Sequence, residues 1–504
     1  MMKLPWSNDI TPAPKKTTRT AKVLALSLGG GLTMIAHVVF AMIAARYLSK
    51  HDYATIRQTF LAYEFAAPLL MLGLPSAIYY FLPREKEMKR GVIVDNIALL
   101  TLAGLIFSLF IAFGGHHLLA MRFNNPDLYN TLPWLVLYPL LMMPVAGFAG
   151  VMVCADRTKA LATYSVLTGV ALTLAGILAI LYTKSYELPV LTRVILPAFF
   201  MPIAIGLMFH FVPGNIRWPR LGSMWNMLCY SVPLGLASML GSITIQMHSL
   251  IVAALCSPED FAVYINGAME IPIIGIVTGS ITTVVFAEMA EMCSKGDKAA
   301  ALKLFHQASI KSACILFPTM CFLLTTAEPF ILFLYSEQYR ASVTPFIIYL
   351  FVLPIRIVVY GAALMALGMN REILLRSIFD LTINCILCIV LVKSIGYIGA
   401  AISIMLTLYI WTTPFNLYKI GRGFGVSWSA SLPLKTLFKM LAICVFCMPL
   451  AALGAYALPM ISLGRLSLAA ILYWPVVAYL LYRGKFFIPP PRLEKLIPVT
   501  LRVR

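Results

Sequence analysis

Apolar stretches long enough to cross a lipid bilayer follow one another along nearly the whole chain, separated by short polar loops. A membrane-spanning helix needs roughly 20 apolar residues, because each residue adds about 1.5 Å of length and the hydrocarbon layer is about 30 Å thick. By that measure the pattern predicts about 14 spans and an all-α polytopic membrane protein. The predicted spans are 22–46, 57–82, 91–113, 133–153, 160–182, 193–212, 226–255, 261–287, 306–327, 343–366, 374–394, 398–419, 437–457 and 465–483.

Composition agrees with this class, since 61% of the 504 residues are hydrophobic and 12% are charged. A net charge of +19 would indicate nucleic acid as the partner of a soluble protein. Here most Lys and Arg lie in the loops on one side of the predicted spans, which is how a membrane protein fixes its orientation. We therefore expect no nucleic-acid partner and predict that both termini are cytoplasmic.

The ten cysteines fall mostly inside predicted helices, and only Cys256 lies near the outer face. We expect no disulfide, because cysteines in apolar helices usually serve as small packing residues. The sequence contains no Walker A loop and no cluster with metal-ligand spacing, so we predict no cofactor and no metal site.

A short segment repeats after 208 residues. Residues 49–54 (SKHDYA) follow the first predicted helix, and residues 257–262 (SPEDFA) follow the seventh. Six intervening helices give both halves the same orientation, and parallel repeats are a transporter architecture with the substrate site between two lobes. The alternative is a chance likeness between two polar turns. The predicted units are a cytoplasmic arm (1–21), an N-lobe (22–212), a C-lobe (226–419), a C-terminal helix pair (437–483) and a basic tail (484–504).

Four local patterns carry a family resemblance. They are the turn 45–53, the loop 288–297 before an amphipathic segment, the stretch 327–339 (AEPFILFLYSEQY), and 361–368 with 396–401 downstream. Taken together, their order and spacing are similar to those of the polysaccharide flippase branch of the multidrug/oligosaccharidyl-lipid/polysaccharide exporter superfamily. That branch includes the O-antigen and exopolysaccharide repeat-unit flippases.

The resemblance implies a bundle of twelve to fourteen helices in two lobes around a V-shaped cavity. It also implies that an undecaprenyl-diphosphate-linked oligosaccharide moves from the inner to the outer leaflet of the bacterial cytoplasmic membrane. The implied partners are that lipid-linked oligosaccharide and membrane lipids, with the polysaccharide polymerase machinery as a further candidate. Such a protein is a transporter and not an enzyme.

Three arginines are the candidate cargo-binding residues. Arg356 follows Pro354 in the middle of a predicted helix, and Arg46 and Arg57 bracket the first outer turn. An ionisable group in hydrocarbon is costly and usually faces a cavity or a partner, and a guanidinium suits the oxygens of a diphosphate. The alternatives are that Arg356 pairs with a nearby carboxylate and that Arg46 and Arg57 extend to the outer headgroups.

Three acidic residues are candidates for ion coupling or for pairing between the lobes. Glu64 and Glu270 lie in the outer halves of the second and eighth predicted helices, and Asp380 lies one turn from Asn384 near the inner end of the eleventh. Asp380 either closes a gate with Arg376 or anchors its helix. Two further interpretations are a polar relay through His248 with Gln246, and a boundary position for Asp95.

Two other functions fit the same sequence. A cation-coupled multidrug exporter would share the architecture and would prefer acidic cavity residues. A membrane polymerase or glycosyltransferase would need a sizeable hydrophilic loop, whereas the longest outer loop here is roughly 113–132, with His116, His117, Arg122 and Asp127. A scaffold without transport activity would keep its function when the charges inside the membrane are neutralised.

Overall fold

The computed structural model describes residues 19–269, 271–457 and 461–486. The helices of the first half of the chain are α1 (Arg19–Tyr47), α2 (Lys50–Met71), α3 (Leu74–Arg84), α4 (Lys89–Phe110), α5 (His116–Arg122), α6 (Leu128–Thr131), α7 (Leu137–Met142), α8 (Phe148–Cys154), α9 (Thr158–Thr183), α10 (Glu187–Ile195) and α11 (Pro197–Phe211). A π-helical turn, Ile111–Gly115, and a 3-10 turn, Leu132–Val136, join neighbouring helices.

The second half of the chain is also helical. Its helices are α12 (Leu221–Leu255), α13 (Pro258–Gly267), α14 (Pro272–Ser294), α15 (Lys298–Thr325), α16 (Ala327–Tyr335), α17 (Val343–Leu350), α18 (Leu353–Arg356), α19 (Tyr360–Ala366), α20 (Asn370–Ile395), α21 (Ile398–Leu406), α22 (Thr413–Phe424), α23 (Leu434–Phe446), α24 (Met448–Tyr456) and α25 (Ser462–Arg483). A 3-10 turn, Glu337–Ser342, precedes α17, and a π-helical turn, Thr407–Thr412, precedes α22.

The prediction of an all-α multi-pass membrane protein is confirmed. Within the described ranges, 11 helical stretches are long and apolar enough to cross a membrane. Two shorter apolar stretches, Leu128–Met142 and Met239–Leu255, accompany them. The count of 14 spans stays a prediction, and most of the predicted N-terminal arm and C-terminal tail lies outside the described residues.

Several predicted spans are interrupted helices. The span predicted at 57–82 begins earlier, at Lys50, and breaks where Leu72 and Gly73 adopt left-handed conformations with φ of 44° and 76°. The span predicted at 343–366 breaks into α17, α18 and α19 around Pro354, since proline cannot donate the hydrogen bond that a continuous helix requires. Sequence periodicity located these spans but did not show their breaks.

The two repeated turns have the same local structure. The Ser49 hydroxyl accepts a hydrogen bond from the Asp52 backbone N–H at 3.0 Å, and the Ser257 hydroxyl accepts one from the Asp260 N–H at 3.1 Å. In both, the serine is the extended N-cap of the next helix, and its side chain satisfies a backbone donor that the first turn leaves free. The division into an N-lobe (22–212) and a C-lobe (226–419) stays a prediction.

Helices from both halves meet along α2 and α3. The long helix α12 packs against α2 and α3, and α13 packs against α2. Near the break between α2 and α3, the backbones of Gly73 and Gly235 touch so closely that neither position has room for a Cβ. At the other edge of the bundle, α23 and α25 pack on α15, and α25 also packs on α16.

The connection between α11 and α12 is fixed by a buried carboxylate. Asp95 is fully buried, and it accepts hydrogen bonds from the Arg217 guanidinium at 3.0 and 2.5 Å and from the Arg220 backbone N–H at 3.0 Å. Asp95 is therefore more than the boundary residue that we predicted, because it ties the segment between the two repeats to α4.

Candidate functional site

A cavity of about 500 Å³ lies between α2 and helices from the second half of the chain. Its lining mixes aliphatic and aromatic side chains with a small number of polar ones, which is typical of a ligand site. The polar and aromatic lining residues are Arg57, Glu64, Thr244, Gln246, His248, Ser249, Tyr264, Phe346, Tyr349, Arg356, Asp380, Asn384, Thr407 and Thr412.

The cavity brings together four of the six predicted site residues. Arg57 and Glu64 contribute from α2, Arg356 from the end of α18, and Asp380 from α20. Arg46 does not line the cavity; it is exposed and donates a hydrogen bond to the Phe333 carbonyl instead. Glu270 lies outside the described residues.

Arg57 lies in the second turn of α2, well inside the helix. Its guanidinium makes no hydrogen bond or ion pair with any residue of the described chain, although it interacts at longer range with Tyr53, Glu64 and Tyr335. A guanidinium carries five N–H donors in a rigid fork, so Arg57 offers the cavity unused donors and a positive charge.

Each of the two carboxylates that line the cavity among the described residues, Glu64 and Asp380, has an arginine partner. Arg193, on α10, lies 3.4 Å from Glu64, and its guanidinium also stacks 4.0 Å from the ring centre of Phe60. Arg376 lies 3.3 Å from Asp380 and one helical turn before it. Neither Arg193 nor Arg376 lines the cavity, so each arginine contacts its carboxylate from outside the cavity.

Residues of the π-helical turn Thr407–Thr412 and of α22 also hold Asp380 and its partner Arg376 in place. The Thr412 hydroxyl donates a hydrogen bond to its carboxylate at 2.8 Å, and Arg376 in turn donates to Asn416 at 3.2 Å. The predicted roles of Asp380, as a helix anchor or as a gate with Arg376, both involve these contacts, and both stay predictions. Arg193 escaped the sequence analysis because it stands at the first position of a predicted span, where an arginine normally reaches the headgroups.

Two polar pairs line the remaining wall. The His248 and Asn384 side chains, both buried, lie 2.5 Å apart between α12 and α20. The hydroxyl groups of Tyr264 and Tyr349 lie 3.1 Å apart. In the part of the chain that the structure describes, no group of three or more His, Cys, Asp or Glu side chains has the arrangement of a metal site.

The two repeated turns and their neighbours contact one another at the N-terminal ends of α2 and α13, whose later residues line the cavity. His51 contacts Asp127 and Glu259, each at 3.1 Å, and we name these three residues the clasp. Just below, the buried Tyr53 hydroxyl donates a hydrogen bond to the Asn266 side-chain oxygen at 2.8 Å. Gln338 donates to the backbone carbonyl of Ala45 at the same end.

Residues 43–344 match the model of a family described as polysaccharide biosynthesis proteins. The chain belongs to this family. No curated protein sequence matches the chain at a significant level.

Solved structures show which fold this family member has. A lipid II flippase, MurJ, in an inward closed conformation superimposes with a TM-score of 0.73 at 13% identity, covering 93% of this chain and 100% of that one. A multidrug resistance MATE family transporter of the MOP superfamily, in an inward-facing conformation, gives a TM-score of 0.58 at 14% identity, covering 78% and 96%. A MOP superfamily transporter from Pyrococcus furiosus, whose binding pocket is described as having reverse polarity, gives 0.52 at 16%, covering 80% and 96%. The resemblance inferred from the sequence is confirmed at the level of family and fold.

Proposed function

We propose that the protein carries undecaprenyl-diphosphate-linked oligosaccharide repeat units from the inner to the outer leaflet of the bacterial cytoplasmic membrane. In this proposal it acts by alternating access of the central cavity, it is a transporter and not an enzyme, and its product feeds surface polysaccharide synthesis such as O-antigen or exopolysaccharide. Both termini are cytoplasmic, so the clasp lies at the outer side. The family match and the MurJ-like fold support the general class.

The observation that carries the proposal is the unused guanidinium of Arg57 in the cavity wall. A diphosphate placed there meets N–H donors without displacing a partner among the described residues. Desolvation of a charged headgroup is costly, so a carrier must replace water with fixed charges and donors. Arg356 lines the same cavity and supplies the second guanidinium of the proposed diphosphate site.

The two described cavity carboxylates, Glu64 and Asp380, favour an anionic cargo over a cationic one. A cation exporter needs carboxylates available to a positive ligand, whereas Glu64 and Asp380 are already engaged by Arg193 and Arg376. A cationic ligand would have to break one of these pairs. In our proposal the two pairs hold the cavity walls in shape, and the neutral polar residues beside them contact the sugars.

The test uses cells in which the protein can be depleted and replaced. The sidedness of undecaprenyl-diphosphate glycans is measured with a membrane-impermeant probe, and their sugars are identified by mass spectrometry. Depletion should trap these lipids in the inner leaflet. The wild-type protein should reverse this trapping, Arg57→Ala should restore less than about a tenth of the wild-type rate, and Arg57→Lys should be intermediate because it keeps the charge but loses the fork.

Arg340→Ala is the matched control, because Arg340 is an exposed arginine that pairs with Glu328 and Glu337 and does not line the cavity. It should restore full activity at equal protein abundance. Glycan lipids that stay evenly distributed on depletion, together with new sensitivity to cationic drugs, would contradict the proposal and favour the multidrug exporter. A pure protein that elongates or cleaves lipid-linked glycans would favour the enzyme.

A further inference from the structure

Both ring nitrogens of His51 face carboxylate oxygens. Nε2 lies 3.1 Å from Asp127, on the segment that leads into α6, and Nδ1 lies 3.1 Å from Glu259, on α13. An ionised carboxylate only accepts hydrogen bonds, and neutral imidazole has a single N–H. A neutral ring would therefore satisfy one carboxylate and turn a lone pair towards the other.

Only the protonated ring completes the clasp. With two N–H groups and a positive charge, imidazolium donates to both carboxylates at once and neutralises one of the two negative charges. Partial burial opposes ionisation of Glu259, but hydrogen bonds from its own backbone N–H and from His51 outweigh this and keep the pKa of that carboxyl below its ordinary value. The Glu259 carboxylate is therefore charged where it faces the His51 ring.

The position of the clasp connects it to the cavity. His51 and Glu259 occupy equivalent places in the two repeated turns, 208 residues apart, so their contact lies where the two halves meet. Arg57 is six residues further along α2, or about 9 Å at the rise of an α-helix. The cavity residue Tyr264 follows Glu259 along α13. Two helices therefore run from the clasp directly into the cavity wall.

Other ionisable groups lie on the elements packed around the clasp. Asp52 is engaged by Ser49, and Lys50 lies 5.9 Å from the ring centre of Tyr339. Other charged or titratable groups nearby include Arg122, Tyr186, Glu187, Asp260 and Arg340. Those further along α2, α6 and α13 are Tyr53, Arg57, Tyr63, Glu64, Tyr129 and Tyr264. None of these contacts places a hydrogen-bonding carboxylate or cation on the His51 ring, where Asp127 and Glu259 already occupy both nitrogens.

We propose that His51 is a positioning residue whose protonated ring holds the outer side of the cavity closed. Opening towards that side breaks the bridge between Asp127 and Glu259, so loss of the ring proton at higher pH favours opening. The inference rests on the alternating-access part of the proposed function, but it does not depend on which cargo is carried.

The test measures outer-side closure in the purified full-length protein in lipid nanodiscs. Spin labels are attached at Tyr47→Cys and Ala341→Cys, in a background where the exposed Cys229 is replaced by serine. Dipolar EPR measures the distance between the two labels. Both positions are exposed and flank the contact of Gln338 with Ala45. From about pH 5.5 to 8.5 the open fraction should rise about two- to fivefold, which is the effect of losing one exposed ion pair.

The variants separate protonation from simple packing. His51→Gln should abolish the pH response, Asp127→Asn and Glu259→Gln should each reduce it, and His51→Lys, which stays charged, should keep the outer side closed at every pH. His117→Gln, at an exposed histidine outside the clasp, should respond like the parent. A parent protein with no pH response, or a His51→Gln protein that keeps the full response, would overturn the inference. The measurement uses no cargo, so neither result decides whether the protein flips lipid-linked glycans.

Discussion

Replacing Asp95 should destabilise the protein more than removing any exposed charge. Asp95 is fully buried and Arg217 is 14% exposed, and the carboxylate accepts three hydrogen bonds from residues of the connection between α11 and α12. Asp95→Asn removes the charge and replaces one acceptor with an amide that faces the guanidinium. Arg217 is then left as a largely buried cation that has lost its ion-pair partner.

The expected size of the effect follows from that geometry. Breaking a buried ion pair by removing one partner costs about 3–5 kcal/mol, because the remaining charge stays desolvated. In the Asp95→Asn protein the Arg220 N–H can still donate to the oxygen of the new side-chain amide, so the lower end of the range applies. We therefore expect Asp95→Asn to lower the free energy of unfolding by about 3 kcal/mol.

The assay is reversible unfolding of the purified protein in mixed micelles, with a double-mutant cycle of Asp95→Asn and Arg217→Gln. The double variant should be more stable than the sum of the two single changes predicts, by about 1–3 kcal/mol. Glu291→Gln, which breaks an exposed helical pair with Lys295, should change nothing measurable. An Asp95→Asn protein as stable as the wild type, or strictly additive effects, would refute the reasoning.

Two further predictions concern contacts between the halves. Gly235→Ala should destabilise the protein by about 1–3 kcal/mol or prevent folding, because the new Cβ would meet backbone atoms of Leu72 that cannot move aside. Gly241→Ala is the control, since its Cβ would meet no described residue within 4 Å, and thermal denaturation compares the two variants. Tyr53→Phe should lower stability by about 1 kcal/mol and raise the open fraction in the EPR assay, because the Asn266 side-chain oxygen, buried between α2 and α13, loses its donor. An unchanged melting temperature for both Gly235→Ala and Tyr53→Phe would contradict this account of the interface.

The sequence was sufficient to predict the class of fold. A bilayer imposes long apolar stretches and polar loops, so hydropathy located the helices without information about their partners. The repeated segments at 49 and 257 were recognisable because a serine N-cap with an aspartate three residues later is a local motif, and the structure shows the same hydrogen bond in both. The break near Gly73 was not evident from hydropathy, whereas the break near Pro354 follows from the hydrogen bond that proline cannot donate.

The candidate site could be predicted only in part. A charge inside an apolar stretch stands out, which is why Arg57, Glu64, Arg356 and Asp380 were identified and why all four line the cavity. Their partners could not be inferred, because the Arg193–Glu64 contact joins residues 129 positions apart and no local signal marks it. Arg46 and Arg57 gave the same signal in the sequence, because they bracket the same predicted outer turn. Arg57 lines the cavity, whereas Arg46 lies at the surface and donates to the Phe333 carbonyl.

The most direct test of the central claim is flipping by the purified protein. Proteoliposomes would contain the cell's own undecaprenyl-diphosphate glycans, and a membrane-impermeant probe would follow their exposure over time. The account predicts that wild-type and Arg340→Ala proteins equilibrate the glycan lipids across the bilayer and that the Arg57→Ala protein, equally folded, does so at less than about a tenth of that rate. Equal rates for wild-type and Arg57→Ala proteins, or no flipping by the wild type above that of protein-free liposomes, would contradict it.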